Sequence, residues 1–105
     1  MELKSEQLKK SGFDAALQNV FVVTTEDNPA QHEFMLTELR SRAAPKGYEQ
    51  FSLLFLGPVE PAMPQGIYCF QHASLGTLPL FMVPVGKSAN GMQYEVCISR
   101  TTDND

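Results

Sequence analysis

The C-terminal half of the chain constrains the fold most strongly, because four short apolar runs alternate there with turn residues. The runs cover residues 51–57, 66–72, 77–83 and 92–100. Each has the length of a β-strand and is bounded by Gly, Pro, Asn or Ser, residues that favour turns. This pattern predicts consecutive antiparallel strands.

The N-terminal half adds two predicted strands and a helix. Residues 20–25 are rich in β-branched side chains and predict a strand. Residues 32–40 have a composition that suits a helix, but they lie between strands and no good cap precedes them, so we predict a strand. Residues 1–18 predict a helix capped by Ser5, and Gly12 leaves open whether it is one long helix or ends near position 12.

Together these elements predict a single, mainly β domain over residues 1–105, α+β in detail, with a β-rich body at 20–100 and a disordered tail at 101–105. Six strands in an antiparallel meander favour a small barrel or a strongly bent sheet, with the N-terminal helix packed on it. Pro79 lies in the middle of its strand, so that strand is expected at an edge, or with Pro79 turned away from the ladder.

Composition excludes several classes of partner. The formal net charge of −4 and scattered basic residues argue against nucleic acid, whose binding sites need clustered Lys and Arg. The chain has no apolar run long enough to span a bilayer, and its first residues do not form a secretory signal. We therefore expect a cytoplasmic protein with no membrane partner, in which Cys69 and Cys97 are free thiols.

The C-terminal half also carries a family resemblance. The matching residues are 51–58, 64–68, 72, 75–76, 80–86 and 94–95. This pattern resembles a family of small bacterial proteins, catalogued only as a domain of unknown function and numbered six-nine-one-six. The resemblance is strongest over residues 50–100 and implies a compact, β-rich bacterial protein. It supplies no catalytic residues.

Few residues in the sequence could carry chemistry. Gly86-Lys87-Ser88 matches the end of a phosphate-binding loop, but Phe81 stands where that loop needs glycine, so a hairpin loop is predicted instead. His72 could act as a base beside Glu95, yet a structural histidine that bonds the turn after its strand is the stronger hypothesis. The histidines and cysteines lack the spacing of a zinc site, so no catalytic residue, cofactor or metal is predicted.

The strands are apolar on both faces, whereas single antiparallel sheets usually place polar residues outside. If the aromatic side chains face the core, then Leu54, Leu56, Ile67 and Phe81 face outward and form a candidate interface. The alternative is that the N-terminal helix or the proline-rich segment at 57–66 covers them. Exposed apolar patches of this kind mark partner surfaces.

The sequence thus favours a non-enzymatic module for protein–protein interaction or self-association. The alternative is a small-molecule or lipid carrier whose barrel interior is lined by Tyr48, Phe51, Phe55, Tyr68, Phe70 and Tyr94. Six strands leave little interior space, so a closed aromatic core is expected rather than a cavity. An enzyme that depends on His72, Glu95 or a thiol ranks last.

Overall fold

The computed structural model of the protein describes residues 8–25, 30–59 and 63–102. Within these ranges the mainly β fold and its six antiparallel strands are confirmed. The elements are α1 Lys10–Ala15, β1 Val20–Thr24, β2 His32–Arg42, β3 Tyr48–Gly57, β4 Gly66–His72, β5 Gly76–Ser88 and β6 Gly91–Thr101.

The sheet closes into a barrel, which settles the choice between a barrel and a bent sheet. Its strands follow the order β1-β2-β3-β6-β5-β4, and β4 pairs again with β1. The meander is therefore built as two three-stranded units, β1–β3 and β4–β6, joined by the β3–β6 and β1–β4 ladders. The placement of β3 beside β6, rather than beside β4, is the part of the topology that the strand pattern does not specify.

β5 is longer than its sequence pattern predicts, because a bulge carries it past Pro84 and Gly86. Its first part, Gly76 to Met82, pairs with β4, and its second part, Val83 to Ser88, pairs with β6. Among the described residues, the part of β5 that contains Pro79 pairs with β4 and not with β6. The missing N–H of the proline is tolerated there, although β5 lies between β4 and β6 in a closed barrel and is not the edge strand that the sequence predicts.

Aromatic rings fill the interior of the barrel. The centroids of Phe21 and Phe55 are 5.2 Å apart, and those of Phe55 and Phe70 are 5.0 Å apart. Tyr48, predicted as a lining residue, is instead 50% exposed. It precedes Phe51 by an odd number of positions, so its side chain lies on the outer face of β3. The other predicted lining residues are buried: Phe51, Phe55, Tyr68, Phe70 and Tyr94.

α1 closes one end of the barrel and is shorter than the predicted helical segment. Phe13 is fully buried, with its ring 5.8 Å from that of Phe51. Gly12 lies within the helix and does not end it. The chain leaves the helix after Ala15 and turns at Gln18, whose φ is 69°. Residues 1–7, including the proposed cap Ser5, lie outside the described ranges.

The segment between β3 and β4 contributes to the opposite end. The backbone N–H of Met63 donates to the Tyr94 hydroxyl oxygen at 3.0 Å, and the Tyr68 hydroxyl donates to the carbonyl of Pro64 at 2.6 Å. Both tyrosines are buried, and a buried hydroxyl without a partner is costly. These bonds therefore fix the described part of the segment against the core.

At the C-terminus, Thr101 belongs to β6, although the predicted tail began at that residue. Residues 103–105 of that tail lie outside the described ranges. Across the described part of the chain, no helix combines the length and hydropathy needed to cross a membrane.

Candidate functional site

The outer surface of the β4–β5 hairpin is the strongest candidate site. Side chains alternate between the two faces of a strand, and the burial of Tyr68, Phe70 and Leu80 identifies the inner face. Ile67 and Phe81 are direct cross-strand partners on the outer face, where they are 72% and 52% exposed. We define the β4–β5 face as the outward residues Ile67, Cys69, Gln71, Thr77, Pro79, Phe81 and Val83.

The part of the hairpin that carries this face, from Gly66 to Gly86, has no charged side chain, and Lys87 lies beyond it near the end of β5. From position 61 to position 86 the sequence contains no Asp, Glu, Lys or Arg, although charged residues make up 19% of the whole chain. Surface sheets exposed to water normally carry charged residues, and the cores of protein interfaces lack them. The composition of the β4–β5 face is therefore that of an interface core.

The structure does not bring all four predicted interface residues into one patch. Ile67 and Phe81 are adjacent, but Leu54 and Leu56 lie on β3, which β6 separates from β5. Both leucines are only half-exposed. The alternation of the sequence gives the correct outward direction for these side chains, whereas the pairing of strands decides which of them become neighbours.

A second apolar strip runs across the first meander and was not predicted as a unit. Met35 pairs with Val20 on one side and with Leu56 on the other. Glu33 precedes Met35 by two residues on the same outer face, so charge borders this strip. The strip becomes visible only when the register of β1, β2 and β3 is known.

His72 lies at the end of β4 and bonds the turn that follows. Its Nδ1 accepts hydrogen bonds from the backbone N–H groups of Ser74 and Leu75 at 3.1 and 3.2 Å. Nδ1 is therefore unprotonated, and the proton assigned to Nε2 is donated to the Asn19 side-chain oxygen at 3.0 Å. The ring also packs against Phe21 at 4.7 Å. Both ring nitrogens of His72 are therefore engaged in hydrogen bonds within the protein.

The residues considered for catalysis do not form a common site. Glu95 lies on β6 and forms an ion pair with Arg42 at 3.6 Å, whereas His72 lies on β4. Cys97 is a free thiol whose pKa is raised by partial burial and by the nearby Glu95 carboxylate. Because the thiolate is the reactive form, a raised pKa makes Cys97 a poor nucleophile.

The remaining motif is a hairpin turn. β5 ends at Ser88 and β6 begins at Gly91, so Gly86-Lys87-Ser88 does not open a helix. The Ser88 hydroxyl accepts a bond from the N–H of Asn90 and donates one to the carbonyl of Gly91. In the described ranges, no cluster of three or more His, Cys, Asp or Glu side chains could hold a metal ion.

Comparison with known proteins identifies a family for this chain but no activity. No curated protein and no solved structure matches the chain. A family model described as a domain of unknown function (DUF6916) matches residues 8–98, a range that contains α1, β1 to β5 and most of β6. A match over this much of the fold identifies the chain as a member of the DUF6916 family.

Proposed function

We propose that the protein is a non-enzymatic protein-interaction module that docks through the β4–β5 face. The observation that carries this proposal is the exposed Ile67–Phe81 pair within the uncharged part of the hairpin, Gly66 to Gly86. Burying apolar surface contributes roughly 25 cal/mol per Å². A protein partner that covers both side chains would gain that free energy without having to desolvate a charge.

The positions of the candidate catalytic residues favour a role without catalysis. The described residues that could act as bases or nucleophiles are separated or held in structural bonds: His72 bonds Asn19, and Glu95 pairs with Arg42. We place the module in the cytoplasm, since Cys69 and Cys97 are unpaired and a reducing compartment keeps thiols free. The family resemblance implies that the cell is a bacterium.

No observation favours the carrier alternative to the same degree. A carrier needs interior space, and the rings of Phe34 and Tyr94 lie 4.9 Å apart while those of Phe55 and Phe70 lie 5.0 Å apart. These spacings are those of rings in contact. We therefore place the binding surface on the outside of the barrel.

Photo-crosslinking in the cells that produce the protein tests the proposal. A benzoylphenylalanine at position 81 replaces one aromatic ring with another at the centre of the β4–β5 face. We expect a covalent protein adduct on irradiation, and mass spectrometry of the adduct identifies the partner. The matched control places the same residue at Tyr48, an aromatic with almost the same exposure (50%, against 52% for Phe81) on β3.

An adduct that forms at position 81 and not at position 48 supports docking through the β4–β5 face. Equal yields at both positions would indicate random collisions and contradict the proposal. The absence of any protein adduct at position 81 would also contradict it.

A further inference from the structure

We infer that the partner of the β4–β5 face is a second copy of this chain, docked about a two-fold axis so that Ile67 and Phe81 of each copy contact the same two residues of the other. This inference rests on the proposed function and names its partner. In such a dimer the same patch serves both copies, so the patch must be self-complementary.

Electrostatics is the first argument for a second copy. The chain has a net charge of −4, so two copies repel each other through most relative orientations. The β4–β5 face has no Asp, Glu, Lys or Arg, and Glu95, which lies beside Val83 on β6, is paired with Arg42, so two such faces meet without opposing unpaired like charges. An uncharged face likewise offers nothing that would recognise a strongly acidic or basic partner.

Shape is the second argument. β4 and β5 pair without a register shift from Gly66↔Met82 to His72↔Gly76, so this part of the hairpin has a regular surface. Strands have a right-handed twist, and two sheets with the same twist pack face to face with their strands nearly aligned. The β4–β5 face of a second copy has the same twist, because the two chains are identical.

Area sets the strength of the dimer. The ladder from Gly66↔Met82 to His72↔Gly76 is about 24 Å long at roughly 3.4 Å per residue. Two strands about 5 Å apart then cover on the order of 250 Å², or roughly 350 Å² if the rest of β5 takes part as a single strand. A stable interface buries about 800 Å² on each partner. We therefore expect a weak dimer that exchanges rapidly and depends on concentration.

Charge variants of the purified full chain test this arrangement. The acidic variant carries Ile67→Glu and Phe81→Glu, and the basic variant carries Ile67→Lys and Phe81→Lys. Each should be monomeric, because the two-fold axis places like charges together. An equimolar mixture should form a one-to-one heterodimer that added salt weakens, since its charges are opposite and exposed.

The measurement is sedimentation equilibrium from about 10 μM to about 1 mM, the range in which a weak interface is populated. Wild type should approach twice the monomer mass with little response to salt. Tyr48→Glu is the matched control on an exposed aromatic outside the face, and it should dimerise like wild type. Circular dichroism should show the same fold in every variant.

Three results would overturn the inference. A wild type that stays monomeric throughout the range would exclude a second copy, while photo-crosslinked adducts with another protein would still support the proposed function. Acidic and basic variants that dimerise alone would place the interface elsewhere. Separate variants that stay monomeric and fail to pair on mixing would exclude the two-fold contact of the faces.

Discussion

Gly91, the first residue of β6, illustrates how one position can constrain the barrel. Its φ is 149°, which residues with a side chain rarely adopt. A Cβ built on Gly91 would lie 2.5 Å from the backbone carbonyl oxygen of Gly57, and that oxygen cannot move without disturbing β3. The close approach of β6 to the end of β3 therefore requires glycine at position 91.

Substitution of this residue should be costly. We expect Gly91→Ala to lower the free energy of unfolding by at least about 2 kcal/mol, because strain at positive φ adds to the clash with Gly57. Urea denaturation measures the change. Gly86→Ala is the control: no atom lies within 4 Å of its Cβ, so we expect a change within about 0.5 kcal/mol. Equal losses for both variants would refute the steric explanation.

At the scale of elements, α1 depends on tertiary contacts for its stability. It has six residues, too few for an isolated helix to persist in water, and the side chain of its N-cap residue, Lys9, makes no capping hydrogen bond. Its first N–H, that of Lys10, donates instead to the Glu49 carboxylate at 3.1 Å. The same carboxylate oxygen accepts from Arg100 Nε at 3.0 Å, and the Arg100 side chain is only 4% exposed. Glu49 thus joins α1, β3 and β6.

Removal of this carboxylate should loosen the end of the barrel that α1 closes. We expect Glu49→Ala to cost about 2 kcal/mol, less than the roughly 3–5 kcal/mol for a fully buried pair because Glu49 is partly exposed. Hydrogen exchange should rise at the amides of α1 in particular. Asp14→Ala removes an exposed ion pair with Lys10 from the same helix and should change stability by less than about 0.5 kcal/mol. Unchanged exchange in α1 after Glu49→Ala would contradict the proposed link.

Across the whole molecule, the sequence predicts where each strand lies along the chain better than it predicts which strands pair with each other. The limits of β4 coincide with the predicted run 66–72, because turn residues flank a regular apolar pattern. β5 extends to Ser88 because a bulge accommodates Pro84 and Gly86, which as isolated residues indicate a loop. Register and strand order depend on contacts distant in sequence, so the separation of Leu54 from Phe81 could not be predicted.

The two three-stranded units, β1–β3 and β4–β6, pair with each other along two ladders, so the chain could be cut between them into two complementary fragments. β3 pairs with β6 along its length, from Tyr48↔Thr101 to Gly57↔Met92, and β1 pairs with β4, so each half supplies the missing neighbours of the other. Fragments 1–59 and 63–105 should be unfolded alone and should form a one-to-one complex when mixed, as circular dichroism can show. A fragment that folds alone would contradict this expectation. A barrel divided in this way would act as a non-covalent link between any two proteins to which its halves are fused.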